Sequence, residues 1–189
     1  MTRAGSATLA DFLSIPESER FHELIDGEIM QKTSPSGEHG STQADVTGWL
    51  HGPFGRKPPS GGPGGWWLAN EVEIELGDDV CRPDVVGWRR ELVPERPRGT
   101  PVGVPPHWVC EVLSPSNMRN DLVRKKHIYH RHHVDHYWIL DPAEGTLAVY
   151  RWHTDGYLEV LIAERGVTVR AEPFDAIEIP ISGLFGEED

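Results

Sequence analysis

Alternating and continuous apolar runs predict most of the strands along this chain. From Glu71 to Leu76, glutamates alternate with apolar residues, which is typical of a strand with one buried face. The segment "VCRPDVVGW" follows the turn "GDD" and predicts a return strand, so the two segments indicate a hairpin. Asp26-Gly27 is a second turn signal and predicts another hairpin nearer the N-terminus.

The segment "HWVCEVLSPSN" predicts a strand at the centre of the sheet. From Trp108 to Leu113 it is apolar on both faces apart from Glu111, a pattern typical of a strand that is covered on both sides. Three later apolar runs, "HYWILDP", "LAVYRW" and "YLEVLIAE", predict a further strand and a terminal meander.

Helices are predicted between these groups of strands. "TLADFLSIPESER" predicts a short helix that ends before Pro16. "GEHGSTQADVTGWLHG" predicts a helix with Val46, Trp49 and Leu50 on one side, and "NDLVRKKHIYHRHH" predicts another. The segment "PFGRKPPSGGPGG" predicts a loop. This order of elements indicates an α/β fold in which a mixed central sheet is flanked by helices.

Length and charge narrow the classes of function. The 189 residues predict one domain, 1–189, and the net charge of −12 argues against coating nucleic acid without specificity, because such binding needs cations that meet phosphates. A local basic surface stays open as an alternative. The chain shows no signal peptide and no apolar run long enough to span a bilayer, so we expect a soluble, cytoplasmic protein. Cys81 and Cys110 are predicted to be buried, reduced thiols.

Glu111 is the first candidate for chemistry because an unpaired carboxylate in a buried strand costs several kcal/mol, on the order of the desolvation penalty of a polar group or more. Such a carboxylate is protonated, paired with a cation or bound to a metal. Asp84 follows Pro83, which predicts a bulge or a sheet edge that re-aims the next side chain. Its structural alternative is a local pair with Arg82.

Lys125 is predicted to lie on the sheet-facing side of its helix, although periodicity places Lys126 nearly as well. The alternative is that both are ordinary surface lysines. Carboxylates at adjacent strand ends, here Asp84 and Glu111, suit Mg²⁺ or Mn²⁺. Such a metal lowers the pKa of a bound water, and a nearby lysine orients that water, so the set suits phosphodiester hydrolysis.

The ordered series "ELIDGE", "SPSGEH", "RPDVV", "EVLSPSN" and "YWILDP", with Asp121, Lys125 and Tyr129, resembles the Uma-type family of the PD-(D/E)xK nuclease superfamily. The resemblance covers about residues 9–185 and implies a restriction-endonuclease-like α/β/α core. It also implies that Asp84 is the motif aspartate and Glu111 the second acid, both binding metal. The superfamily lysine position is Leu113 here, and the resemblance moves that catalytic role to Lys125.

Further site residues follow from the same resemblance. Glu23 matches an N-terminal acidic residue that completes the catalytic set. His39 matches a family position, where it either touches substrate or caps the following helix. Arg124, Lys126 and Tyr129 are the other predicted substrate-binding residues. Eight basic residues are candidates to meet phosphates: Arg89, Arg90, Arg96, Arg98, Arg119, Arg124, Lys126 and Arg131.

The predicted function is therefore that of a Mg²⁺- or Mn²⁺-dependent endonuclease that hydrolyses phosphodiester bonds in nucleic acid, with DNA as the expected substrate. Similar nucleases are often dimers, so we expect a homodimer. The alternative is a catalytically inactive protein with the nuclease fold that serves as a binding or interaction module, because a fold alone does not establish an activity. The net charge of −12 favours this alternative.

The chain carries five histidines between His127 and His136, two of them, His130 and His133, spaced to share a transition metal. We interpret this stretch as a solvated helix end in which zinc or nickel binding is incidental. The family resemblance places a Gly-Val pair at this helix end, where glycine supplies a left-handed cap. His133-Val134 stands there instead, at some cost in cap stability.

Overall fold

The computed structural model describes residues 6–56, 63–115 and 117–187. Within these ranges the α-helices are α1 Leu9–Leu13, α2 Gly37–Phe54 and α3 Lys126–Arg131. A π-helical turn, Asn120–Lys125, runs directly into α3, and short 3₁₀ turns cover Glu17–Glu19 and Ser182–Phe185. All three predicted helices are present. The predicted loop "PFGRKPPSGGPGG" lies outside the described residues at 57–62, and its first two residues extend α2.

No helix in the described part of the chain is both long and apolar enough to pass through a membrane. The strands, in chain order, are β1 His22–Ile25, β2 Glu28–Gln31, β3 Trp66–Asn70, β4 Ile74–Leu76, β5 Asp79–Cys81, β6 Val85–Arg89, β7 Trp108–Val112, β8 His136–Asp141, β9 Thr146–Arg151, β10 Leu158–Glu164, β11 Thr168–Val169 and β12 Ile179–Pro180. The pair β1–β2 is the hairpin predicted at Asp26-Gly27.

The central sheet has six strands in the order β10-β9-β8-β7-β6-β3. β7 and β8 pair in parallel, with α3 on the connection between them, and the other neighbours are antiparallel. The sheet is therefore mixed, as predicted. Every residue of β7 is buried, which confirms the prediction of a central strand.

The hairpin predicted around "GDD" is divided between two sheets. Its outer part, β3 and β6, pairs in the central sheet, whereas β4 and β5 pair in a second sheet with the order β2-β1-β5-β4. The chain bends on both arms, at Glu71, whose φ is 54°, and at Pro83, which has no N–H for the ladder. Each arm is thus two strands rather than the one predicted, and the predicted bend at Pro83 is present. We call residues 71–73 and 82–84 the elbow.

A buried ion-pair network fixes the elbow. Glu73, predicted to share the polar face of a half-buried strand, is 2% exposed. Its carboxylate lies 3.0 Å from Arg20 Nη2 and 2.9 Å from Arg82 Nη2. Arg82 therefore pairs with Glu73. The alternative considered for Asp84, a local ion pair with Arg82, is not formed. Removing one member of such a buried pair leaves an uncompensated charge, so the network holds the bend in one conformation.

Helices cover both faces of the central sheet. Val46 and Leu50 of α2 join the core on the face of Trp108 and Cys110, and Trp49, predicted on the same side, is 37% exposed. The opposite face receives α3 and the second sheet, through buried residues that include Ile25, Cys81, Val109, Leu113, Ile128 and Tyr129. This is the predicted α/β/α arrangement. Glu111 lies on this second face, and both cysteines are buried free thiols, as expected.

Candidate active site

Asp84 stands at the elbow, immediately before β6, and is fully buried. Its Oδ2 accepts a hydrogen bond from the backbone N–H of Val112 at 2.7 Å, which fixes the carboxylate at the end of β7. Its Oδ1 lies 2.7 Å from Lys32 Nζ and 3.2 Å from His39 Nε2. The bend at the elbow thus aims one carboxylate oxygen at two side-chain donors.

Asp84 stays ionised in spite of its burial. Burial raises the pKa of this carboxyl, but the hydrogen bond from His39 and the charge of Lys32 outweigh that effect and hold the pKa well below its usual range. Burial in turn lowers the pKa of Lys32, and the charge of Asp84, with those of Glu111 and Glu71, more than compensates, so that the pKa lies above its ordinary value.

Glu111 projects from β7 into the layer beneath α3 and is also fully buried. Its Oε1 accepts a hydrogen bond from the Tyr129 hydroxyl at 2.6 Å and lies 3.2 Å from Lys125 Nζ. Among the described residues, its Oε2 has no hydrogen-bond partner. Burial raises the pKa of Glu111 well above its usual range, and the charge of Lys125 opposes that shift.

Lys125 is the lysine that faces the sheet, with 1% of its surface exposed. Its Nζ lies 2.9 Å from Glu23, 3.0 Å from Asp121 and 3.2 Å from Glu111. Burial lowers the pKa of Lys125, but the charges of these carboxylates outweigh it and the pKa is well above its ordinary value. The π-helical turn places Asp121 and Lys125 on the same inward side. Lys126 is half-buried, so the structure resolves the choice that periodicity left open.

Two residues of this cluster were missed in the sequence. Lys32, just after β2, bridges Asp84 and Glu71, with its Nζ 3.0 Å from Glu71 Oε2 and 2.8 Å from the Arg82 carbonyl oxygen. Glu71 fitted the alternation of a half-buried strand, and only the elbow brings it to Asp84. No local pattern marks either residue, because both reach the site through the pairing of distant segments.

His39, Glu71 and Asp84 form the described group that is able to hold a metal ion, with one ligand atom of each within 4.8 Å of the others. The sequence predicted Asp84 and Glu111 as metal ligands, so Asp84 is common to both sets. Five carboxylates in the wider cluster, Glu23, Glu71, Asp84, Glu111 and Asp121, face two lysines. The carboxylate oxygens outnumber the ammonium groups that face them, and among the described residues Glu111 Oε2 has no hydrogen-bond partner, so the donor set suits a divalent cation with oxygen and imidazole ligands.

A cavity of about 230 Å³ opens directly onto this group. Lys32, His39 and Glu71 contribute to its wall. The remaining lining residues are small or polar: Thr33, Ser34, Pro35, Ser36, Ser114, Pro115 and Asn117. Two members of the candidate metal group, His39 and Glu71, thus border the cavity, whereas Asp84 is fully buried beside them, and Lys125 and Glu111 are not among the described residues that line it.

Comparison with solved structures gives the same fold. The crystal structure of "a putative nuclease belonging to DUF820" from Anabaena variabilis is similar, with a TM-score of 0.75 and 26% sequence identity over 95% of this chain and 97% of that chain. The Uma2 family, described as "Putative restriction endonuclease", matches residues 9–182. The chain belongs to the Uma2 family. No curated protein matches it.

Membership of Uma2 confirms the resemblance and the restriction-endonuclease-like fold predicted from the motifs. It does not by itself assign roles to side chains. Asp84, Glu111, Lys125 and Glu23 do come together in one buried network, through Lys125 and the paired ends of β6 and β7. Their catalytic and metal-binding roles stay predictions.

The residues predicted to bind substrate in this Uma2 protein lie in different surroundings. His39 contacts Asp84 and lines the cavity. Its backbone N–H donates to Ser36 Oγ at 3.2 Å, so Ser36 rather than His39 caps the helix. Tyr129 is fully buried behind Glu111, a placement that favours holding the carboxylate over touching substrate. Arg124 pairs with Glu28 at 2.8 Å, and Lys126 Nζ lies 3.5 Å from the centre of the Tyr150 ring.

The side chains of the histidines between His127 and His136 have different partners. His130 stacks on Trp152, and its Nε2 lies 2.7 Å from the His153 carbonyl oxygen. His136 lies 3.2 Å from Glu172, and His133 packs on Trp152. Within the described part of the chain, these histidines form no group with metal-binding geometry. The interpretation of the stretch as a solvated helix end is wrong for His136, which is buried in β8 because that strand runs through the central sheet.

Proposed function

We propose that this Uma2 protein is a divalent-metal-dependent endonuclease that hydrolyses phosphodiester bonds, with DNA as substrate and Mg²⁺ or Mn²⁺ as cofactor. The observation that carries the proposal is the group of His39, Glu71 and ionised Asp84, two members of which, His39 and Glu71, line an open cavity. A buried carboxylate held ionised by neighbouring donors has the charge that a divalent cation requires.

Asp84, Glu71 and His39 would hold the cation. When bound, such an ion lowers the pKa of a water ligand and stabilises negative charge on a phosphoryl oxygen. Glu111 is the predicted second acid, and its Oε2, which has no hydrogen-bond partner in the described part of the chain, is consistent with a role toward the same site. Glu23 and Lys125 support it from behind, because Lys125 binds both Glu23 and Glu111.

The surroundings of Lys125 favour a positioning role over the predicted role in orienting water. Its ammonium is buried and lies next to three carboxylates. This favours a role in holding Glu111 and Glu23 over direct contact with a group in the cavity. We propose that Lys125 and Tyr129 keep Glu111 in position. Homodimer formation and a cytoplasmic location remain further proposals.

Cleavage assays test the proposed function on plasmid DNA, single-stranded DNA and RNA, each with Mg²⁺, Mn²⁺ or EDTA. We expect metal-dependent cleavage of DNA and a loss of at least about 100-fold in Asp84→Asn, because that change removes the ionised ligand. Glu178→Gln is the matched control, since this exposed carboxylate pairs only with Arg170 at the surface among the described residues. Cleavage that persists in EDTA, or in Asp84→Asn, contradicts the proposal.

One observation favours the second candidate, a nuclease-fold binding module without catalysis. Lys32 already neutralises Asp84 and Glu71, as an internal cation would in a protein that binds no metal. The same assays decide between the two, because a binding module retains nucleic acid in a filter or anisotropy assay and cleaves none of the substrates with either metal.

A further inference from the structure

Lys32 holds the position that a metal would need. Its ammonium has three donors, and acceptors on three residues surround it: Asp84 Oδ1 at 2.7 Å, the Arg82 carbonyl oxygen at 2.8 Å, and Glu71 Oε2 and Oε1 at 3.0 and 3.1 Å. Asp84 and Glu71 are also two of the three members of the candidate metal group. An ammonium and a divalent cation repel each other strongly at contact distance in a buried site, so the two cannot share these oxygens.

Lys32 and Lys125 differ in what they can reach. The side chain of Lys32 is 12% exposed and lines the open cavity, whereas that of Lys125 is 1% exposed and enclosed by three carboxylates. A flexible four-carbon stem allows the ammonium of a lysine to move between nearby anionic partners. For Lys32, the space available is the cavity with the serine- and threonine-rich wall.

We propose that Lys32 is an internal counter-cation that occupies the metal position in the metal-free protein, and that a divalent cation displaces its ammonium into the cavity, where it binds the phosphate of the substrate. The proposal rests on the proposed function for its substrate class, a phosphodiester. It assigns the lysine that contacts substrate to Lys32, and it leaves Lys125 as a positioning residue behind Glu111.

Calorimetric titration of the metal-free protein with Mn²⁺ tests the displacement without any turnover. We expect Lys32→Met to bind Mn²⁺ at least about tenfold more tightly than the unchanged protein, because the competing charge is gone. Arg170→Met is the charge-matched control, since Arg170 is exposed and pairs with Glu178 away from the site, and its Mn²⁺ affinity should equal that of the unchanged protein. Equal or weaker Mn²⁺ binding by Lys32→Met overturns the proposal.

Cleavage at saturating Mn²⁺ tests the second part of the proposal, that the displaced Lys32 ammonium binds the phosphate of the substrate. We expect Lys32→Met to cleave about 10- to 100-fold more slowly in spite of its tighter metal binding, because a cation that would meet the phosphate is missing. Tighter metal binding with undiminished cleavage overturns the assignment of Lys32 to the substrate. If the unchanged protein cleaves nothing while Lys32→Met still binds Mn²⁺ more tightly, the proposed function fails and the displacement stands.

A measurement on the unchanged protein covers the case in which Lys32→Met does not fold. Mass spectrometry after brief acylation reports the reactivity of each lysine with and without Mg²⁺. Displacement into the cavity predicts a severalfold rise in acylation of Lys32 on addition of Mg²⁺, while Lys126, which stacks on Tyr150, reacts equally in both conditions. Acylation of Lys32 that Mg²⁺ leaves unchanged or lowers overturns the displacement.

Discussion

Asp121 shows how the buried cluster uses protonation as well as ion pairs. It contacts Lys125 at 3.0 Å, and among the described residues its Oδ2 has no hydrogen-bond partner. Burial raises the pKa of Asp121 to about 6, with the charge of Lys125 opposing the shift. Since Lys125 also balances Glu23 and Glu111, it compensates Asp121 only in part. Asp121 therefore takes up a proton at a higher pH than an ordinary aspartate does, and it is ionised above about pH 6.

This residue predicts a pH-dependent stability. The unfolded carboxyl releases its proton near pH 4, as an aspartate in solution does, and the folded one near pH 6, so the folded state binds more protons between these values. The contribution of Asp121 is thus fully present below about pH 4 and falls by about 2–3 kcal/mol as the pH rises through 6. Urea unfolding in EDTA checks this prediction. Between pH 4 and pH 7, the free energy of unfolding of Asp121→Asn should rise by that amount relative to that of the unchanged protein.

The control for Asp121→Asn is Asp175→Asn, at an exposed position. Its stability relative to the unchanged protein should not vary over the same pH range, because an exposed carboxyl has similar surroundings in both states. An Asp121→Asn curve that runs parallel to that of the unchanged protein would show that Asp121 titrates normally in the fold.

The end of α3 is the element whose sequence fits its geometry least. The backbone N–H of Val134 donates to the Tyr129 carbonyl oxygen at 3.0 Å, and that of His133 to the His130 carbonyl oxygen at 3.1 Å. These bonds, with φ of 56° at His133, are those of a left-handed helix cap, which glycine adopts without steric cost. The cap predicted from the family resemblance is thus formed, with a histidine in the position that favours glycine.

We predict that His133→Gly stabilises the protein by up to about 1 kcal/mol, because it relieves the left-handed backbone cost. The lost contact between the His133 and Trp152 rings, 4.8 Å apart, reduces the gain. His132→Gly is the matched control. His132 has a φ of −98°, so glycine there relieves no left-handed backbone cost. Its entropic cost, with the lost packing of the half-buried His132 ring near Gly77, should destabilise the protein by at least about 0.5 kcal/mol. Chemical denaturation of the two variants that gives shifts of equal sign would contradict this account.

At the scale of the whole molecule, the net charge is −12, and several of the basic side chains already form ion pairs or hydrogen bonds within the chain. Arg124 pairs with Asp26 and Glu28, and Arg131 pairs with Asp79. Arg90 donates to two backbone carbonyl oxygens. Three of the eight predicted phosphate-binding cations, Arg90, Arg124 and Arg131, are therefore held within the chain, which favours the proposed metal site as a centre of attraction for phosphate.

A shallow salt dependence follows. For duplex DNA, log K falls against log[salt] with a slope of about −0.9 for each phosphate that the protein neutralises. We expect a slope of magnitude below about 3 when binding is measured by fluorescence anisotropy with Ca²⁺ in place of Mg²⁺. A slope near −6 would instead indicate an extended basic surface, and would contradict the view that these arginines stay bound within the chain.

Sequence patterns predicted the central strand, the helices and a mixed sheet, because burial on two faces leaves a continuous apolar run and burial on one face leaves a periodic pattern. They also marked Asp84 and Glu111, since a carboxylate in an apolar run stands out. Lys32 and Glu71 carried no such mark. Their positions depend on how β2 and β4 pair with segments far away in the chain, and on a bend at Glu71 that alternation alone would have continued as a straight strand.

The elbow has a consequence for how such an enzyme would lose its activity over evolution. Glu71 and Asp84 stand on the two bends that let one hairpin serve both sheets. Straightening either bend would remove a carboxylate from the site and also disturb the packing of the second sheet. Replacing only the side chain of Asp84 or Glu71 leaves the backbone path intact. Under the proposed function, inactive descendants are therefore expected to keep Pro83 and the bent hairpin and to lose the carboxylates of Asp84 and Glu71.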